Sequence, residues 1–528
     1  MNAIFILYGA NMNSCAFEPV FEGKNSLQIT IDQAKKFPGV GKIVLIVSAD
    51  NDFSSLTGVE VVRNNSWTKK SLLEKIAQLQ DGFDFAYFAF ADCPFLDPAL
   101  AALIADRHIK YAAEYSYADG WPYALAPEIL SPGTAAILAN IIGSNDETSS
   151  ASQPVSRDIL FSVIQKDINA FDIEAEISPV DLRCHRINFC ADSKRNLLLL
   201  KNFITAAGNK IPDYKDVERI TEEKPEILRT LPSFYPIQVY GGCPQKCLIC
   251  PYPSFVDVTA CRDFMAFEKF EKLLDNIVSF SGDAVIDLSL WGEISLHPEK
   301  LKLIEAVLLR KELSLIIETS GLGWNEGDLE HCAALAANAL SNRKPEAAYS
   351  AISPLSWIVS LDTCDTKRYN ELRSGGFAQA ESCAKKLLSL FPNDCYVQAV
   401  RIKGAEDDTE KFFRYWKEAA GEKNIIIQKY DDFCGFLEKK QASDISPVIR
   451  QCCWHIMRDF PVLLDGSVPL CREDLPALKG EINYILGNVF SDSLENIWKN
   501  AEKHYTEQCK KNYPGICAGC DEYYTYNF

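Results

Sequence analysis

The stretch Tyr240-Gly-Gly-Cys-Pro-Gln-Lys-Cys-Leu-Ile-Cys-Pro-Tyr252 sets Cys243, Cys247 and Cys250 in a C-x3-C-x2-C spacing, directly after a short β-like run. Three thiolates on one loop suit three irons of a [4Fe–4S] cluster, because soft sulfur ligands favour iron–sulfur centres. The fourth iron then lacks a protein ligand and is open to a substrate or cofactor. A cluster that only carries electrons normally takes four cysteines, so the missing ligand points toward chemistry. A plain three-cysteine turn, or part of a zinc site, is the competing reading.

The chain has 528 residues, enough for about three domains. A net charge of -18 argues against non-specific binding to nucleic acid or to an anionic membrane, where excess Lys and Arg are expected. No stretch approaches the ~20 apolar residues that span a bilayer, and Met1-Asn-Ala-Ile-Phe-Ile-Leu lacks the basic segment of a signal peptide. The expected location is therefore the cytoplasm, where disulfides are rare. Nineteen cysteines then have to be metal ligands, reactive groups or small buried hydrophobes.

Over residues 1–205, apolar strands at 3–8, 42–47, 59–62 and 83–90 alternate with helices at 27–37, 71–80 and 97–110. This reads as a parallel, doubly wound sheet with ligands beyond the carboxyl ends of its strands, where Asp50 and Asp92 are expected. The run Phe90-Ala-Asp-Cys-Pro-Phe-Leu-Asp97 resembles a nucleotidyltransferase motif, as do Trp121–Glu128 and Leu182–Asp192. The resemblance implies a Mg²⁺ held by Asp92 and Asp192, a task for hard carboxylate oxygens. Those enzymes follow their first strand with a glycine-rich, cationic loop; here Tyr8-Gly-Ala-Asn-Met-Asn-Ser-Cys-Ala-Phe-Glu-Pro19 has one glycine and no cation before Lys24. The expectation is the fold without the activity, a degenerate domain. Residues 206–232 are polar and proline-bearing and read as a linker.

From 233 to 440, strands are expected at 235–240, 284–291, 313–318, 357–362, 395–402 and 424–430, with helices near 267–280, 298–311, 325–340, 376–390 and 406–420. Six strands with intervening helices read as a partial (β/α)6 barrel, with function at the carboxyl ends of the strands. Cysteine loop and barrel together resemble the radical S-adenosylmethionine (radical SAM) enzymes. The resemblance implies that Gly292-Glu293 receives the methionine ammonium, that Thr319 and Ser320 line the cofactor pocket, and that Ser360 and Arg373 meet the methionine carboxylate. In the fifth strand, Gln398 and Arg401 fall on opposite faces, so at most one points into the barrel.

After residue 441, Cys453 and Cys471 flank a hairpin-like pattern centred on Asp465-Gly466, and the chain closes with Cys517-Ala-Gly-Cys520. These four cysteines resemble the one-cluster form of the SPASM domain, an auxiliary iron–sulfur module; Cys452 and Cys509 stand in reserve. A Cys₄ zinc site asks for the same thiolates, and spacing alone does not separate the two metals.

The whole arrangement resembles the spiro-SPASM proteins. It implies a [4Fe–4S] cluster on Cys243, Cys247 and Cys250 that binds S-adenosylmethionine, an auxiliary [4Fe–4S] cluster, and reductive cleavage to a 5′-deoxyadenosyl radical that takes hydrogen from a substrate. An electron donor such as flavodoxin or ferredoxin is implied as partner, and a peptide or a nucleotide-activated small molecule as substrate. A nucleotidyltransferase, or a non-catalytic iron–sulfur scaffold with a nucleotide-binding domain, are the alternatives.

Overall fold

A computed structural model describes residues 1–49, 53, 56–145, 155–343, 353–442, 447, 449–475 and 485–524. The chain divides into two compact units, Met1–Thr230 and the portion from Leu231 onward.

The first unit is built on a seven-stranded sheet. Glu60–Asn64, Val40–Ser48, Ala3–Tyr8 and Phe85–Phe90 lie side by side and run parallel. All six residues of Ala3–Tyr8 and of Phe85–Phe90 are buried, as unbroken apolar runs in a parallel sheet require. The sheet is mixed rather than wholly parallel: Glu128–Leu130 runs antiparallel beside Phe85–Phe90, followed by Tyr115–Asp119 and Ile173–Ile177. Asp97 caps the helix Pro98–Lys110 by accepting from the backbone N–H of Ala99 (2.7 Å) and Leu100 (2.8 Å), with proline at the first helical position, where its missing N–H costs nothing. Asp50 lies outside the described residues.

Residues 206–232, read above as a linker, carry the helix Tyr214–Glu223. Its polar face misleads composition: Val217 and Ile220 are buried, the Tyr214 N–H reaches Asp97 Oδ2 at 2.8 Å, and the Tyr214 ring meets Trp121 edge-on.

The second unit holds six parallel strands in sequential order: Phe234–Pro236, Ala284–Asp287, Leu313–Thr319, Leu355–Ser360, Cys395–Arg401 and Ile425–Lys429. The helices Phe267–Ser281, Lys300–Leu308, Glu326–Asn342, Phe377–Leu390 and Glu406–Ala420 connect them, forming a curled half-barrel. Alternation divides each strand between two faces. One face, with Ile286, Ile317, Trp357 and Val397, packs under the helices in the main core. The other carries an apolar layer of Phe234, Val285, Ile316 and Ile358.

The tail is joined to this half-barrel through backbone hydrogen bonds. The N–H groups of Phe460 and Val462 donate to the carbonyls of Phe234 and Pro236 (2.9 and 2.8 Å), and Gln238 N–H donates to the Val462 carbonyl (2.9 Å). The expected turn forms at Asp465-Gly466, with Leu463 N–H on the Ser467 carbonyl at 2.8 Å, but its arms separate. One lies along the first barrel strand, and Ser467–Pro469 pairs antiparallel with Ile485–Asn488. Each arm finds more partners apart than together, since the barrel edge offers open backbone groups. Phe460, Val462, Val489 and Trp498 join the barrel's own core.

Among the described residues, no helix is long and apolar enough to cross a membrane.

Candidate functional site

Cys243, Cys247 and Cys250 sit on the loop beyond the carboxyl end of the first barrel strand. Hydrogen bonds to distant segments fix that loop. Cys243 N–H donates to the Val258 carbonyl (2.9 Å) and Leu248 N–H to the Leu372 carbonyl (2.8 Å). Buried Gln245 donates through Nε2 to Tyr369 Oη (3.1 Å) and the Gly375 carbonyl (2.9 Å). The cysteine loop is thus latched to the end of the helix Thr366–Arg373 and the turn that follows it. Burial, then the nearby Glu293 carboxylate, pushes the Cys243 thiol up to about 12; burial and the Cys247 sulfur do the same for Cys250. Such thiols stay protonated until a metal displaces the proton.

Gly292 and Glu293 follow the second strand. Gly292 has φ +127°, and a Cβ there would lie 1.9 Å from the Tyr240 carbonyl oxygen, so only glycine lets this turn approach the cysteine loop. Glu293 N–H donates to the Gly242 carbonyl at 2.9 Å, one residue before Cys243. The buried Glu293 carboxylate accepts from Thr319 Oγ1 (2.7 Å) on Oε1, and from Ser320 N–H (2.8 Å) and Ser320 Oγ (2.7 Å) on Oε2. Thr319 and Ser320 therefore hold Glu293 in place.

Ser360 and Arg373 take different hydrogen-bond partners. Arg373, 7% exposed, donates through Nε to Asp362 Oδ2 at 2.5 Å, and Asp362 Oδ1 accepts the Val400 N–H. Ser360 Oγ donates to Glu318 Oε1 (2.6 Å), which also takes Gln398 Nε2 (2.8 Å). Gln398 faces inward and Arg401 is exposed, as alternation requires. Asp287, Glu318, Ser360 and Gln398 form a polar layer one step above the apolar layer, toward the carboxyl ends. Burial, with the Glu318 carboxylate adding to it, pushes Asp287 up to about 6. Sequence reasoning missed Glu318 and Asp287; the signal was a carboxylate inside an otherwise apolar strand.

In the tail, one cavity is lined by Cys453, Cys471, Cys517 and Cys520, together with Cys434 and Glu473. Cys452 stands elsewhere, its sulfur 3.2 Å from that of Cys509.

In the first unit, the three motif segments converge: Ala191 N–H donates to the Asp92 carbonyl (2.9 Å) and Asp97 N–H to the Leu125 carbonyl (2.8 Å). Asp92 and Asp192 also converge, but on a guanidinium. Arg157 reaches Asp92 through Nη1–Oδ1 (3.1 Å) and Nη2–Oδ2 (2.6 Å), and Asp192 Oδ2 at 3.0 Å. The second Asp192 oxygen accepts from Asn196 Nδ2 at 2.8 Å. Arg157 thus occupies the place between the two carboxylates where the resemblance implies Mg²⁺, and its charge offsets theirs in this arrangement. Nothing in the sequence around Arg157 announced this.

An uncharacterized protein of Treponema pallidum (strain Nichols) is 34% identical over 376 residues, spanning 70% of this chain and 98% of that protein. The chain belongs to that protein's family. Residues 452–521 match SPASM, an iron–sulfur cluster-binding domain, which favours iron over zinc for the tail thiols. Two solved structures are similar in part. A cytidylyltransferase from Leptospira borgpetersenii is 16% identical with a TM-score of 0.37, over 43% of this chain and 97% of that one. SuiB of Streptococcus suis bound to precursor peptide SuiA is 14% identical with a TM-score of 0.39, over 65% and 76%. Within the SPASM domain, the cavity gathers Cys453, Cys471, Cys517 and Cys520 and leaves Cys452 and Cys509 to each other.

Proposed function

We propose that the protein is a radical SAM enzyme with an auxiliary iron–sulfur cluster. The observation that carries the reading is the cysteine loop at the carboxyl end of the first strand of a half-barrel, latched to the end of the helix that carries Arg373 and closely approached by Gly292-Glu293. The donor set fits: three thiols on one loop with a carboxylate and a guanidinium beside them. Cys243, Cys247 and Cys250 would hold a [4Fe–4S] cluster, and Cys453, Cys471, Cys517 and Cys520 the auxiliary one. When bound and reduced, the first cluster supplies one electron to the sulfonium of S-adenosylmethionine, breaking a C–S bond to give methionine and a 5′-deoxyadenosyl radical.

The chain's own residues account for binding and orientation. Glu293, fixed by Thr319 and Ser320, presents a carboxylate to the methionine ammonium. Arg373, held by Asp362, presents a guanidinium whose planar fork suits the methionine carboxylate. The layer of Asp287, Glu318, Ser360 and Gln398 faces the half-barrel interior and is available to ribose or substrate polar groups. The aromatic side chains of Tyr252, Trp291 and Phe433 stand in a row, with ring centroids 5.8 and 5.7 Å apart, and limit water around the cysteine loop.

The substrate is a peptide or a nucleotide-activated small molecule, the electron comes from a flavodoxin or ferredoxin, and the setting is the cytoplasm. The first unit serves as a degenerate nucleotidyltransferase-like domain; Arg157 weighs against a metal-dependent transfer there.

The test is anaerobic purification and reconstitution, followed by iron, sulfide and 5′-deoxyadenosine measurement with dithionite. About eight irons per chain and steady deoxyadenosine formation are expected. Cys250→Ala abolishes deoxyadenosine and retains the auxiliary iron. A fully loaded protein that forms no deoxyadenosine overturns the proposal.

A further inference from the structure

The SPASM cavity is lined by five cysteines, and a [4Fe–4S] cluster takes four. The fifth, Cys434, lies before the SPASM match begins. It comes from the loop after the sixth barrel strand, Ile425–Lys429. That loop is tightly made: Phe433 N–H donates to Asp431 Oδ1 (2.7 Å), and Gly435 and Leu437 N–H donate to the Asp432 carbonyl (3.2 and 3.0 Å). Phe433 and Cys434 both sit in the left-handed region, φ +51° and +57°. Non-glycine residues held so are unusual and need surrounding structure to fix them. The outcome is a barrel thiol turned into a cavity belonging to the tail, where it lies against Cys520. Cys520 also accepts the Glu522 N–H at 3.3 Å, a backbone bond suited to a ligand sulfur.

We propose that Cys434 and Cys520 are alternative ligands for one corner iron of the auxiliary cluster. The inference rests on the reading that the SPASM domain holds a [4Fe–4S] cluster. Exchange at the corner breaks one Fe–S(Cys) bond and forms another; the released thiolate takes the proton that the incoming thiol gives up, and the iron oxidation states are unchanged. The site thus joins the half-barrel mouth to the tail through a single metal corner.

The full-length chain is reconstituted anaerobically as wild type, Cys434→Ala, Cys520→Ala, the double variant and Cys453→Ala, with iron, sulfide and electron paramagnetic resonance as readouts. Each of the first two variants is expected to retain about eight irons. The double variant is expected to lose one iron and show the signal of a three-iron cluster. Cys453→Ala, which has no substitute, shows that loss alone. The cluster on Cys243, Cys247 and Cys250 reports intact folding in every variant. A three-iron signal from Cys520→Ala alone, or a four-iron auxiliary cluster retained in the double variant, overturns the inference. About four irons in the wild type, all lost on Cys250→Ala, would instead overturn the reading beneath it.

Discussion

Three side-chain positions carry consequences out of proportion to their size. Gly292 lets the second strand's turn come against Tyr240, and any Cβ meets the carbonyl oxygen at 1.9 Å. Gly292→Ala therefore forces the turn away from the cysteine loop. Iron is expected to fall by about half, from the first cluster alone, with a lowered melting temperature. Arg157 balances the buried Asp92 and the half-buried Asp192, so Arg157→Ala strands a buried carboxylate; a loss of about 3 kcal/mol is expected in urea unfolding of the first unit. His108, 3% exposed, lies between Ser116 Oγ (2.8 Å) and Ser131 Oγ (3.1 Å). Burial pulls it down to about 4 from its usual 6.5. The unfolded chain thus binds a proton between pH 6.5 and 4 that the folded one refuses, and its stabilising contribution is full above 6.5 and lost on acidification. His108→Gln removes this dependence. At pH 5 the variant is expected to recover about 2 kcal/mol relative to the wild type's own change from pH 8, read from urea midpoints.

At the scale of elements, the legible features were those whose physics is local. Ala3–Tyr8 and Phe85–Phe90 announce themselves as unbroken apolar runs because a parallel strand is covered on both faces. Gly292-Glu293 was legible as a turn closing an apolar strand, where a glycine allows the close backbone approach seen at Tyr240. What escaped depends on partners far along the chain. Arg157 meets Asp92 across 65 residues, and Cys434 is a lone cysteine until folding carries it to Cys520. The Asp465-Gly466 turn was read correctly as a turn and wrongly as a hairpin, because the competing partner, Phe234–Pro236, lies more than two hundred residues upstream. That pairing is testable. Val462→Pro removes the N–H that reaches the Pro236 carbonyl, and proline is poorly accommodated inside a pairing strand. A loss of about 3 kcal/mol is expected in unfolding of the second unit, with faster amide exchange at Gln238.

For the molecule as a whole, the SPASM domain is less an appendage than its position at the end of the chain implies. Half-barrel and tail share one apolar core, in which Phe460 packs against Tyr235 and Trp498 stacks on Phe460. The hydrogen bond from Leu464 N–H to Gln238 Oε1 spans 226 residues. At synthesis rates of about 5–20 residues per second, the first barrel strand waits on the order of 10–50 s for the segment that covers it. Throughout that interval the nascent barrel carries an open edge able to pair with another chain. Translation speed, and chaperones that shield such an edge, would therefore govern how much of this protein is recovered in soluble form.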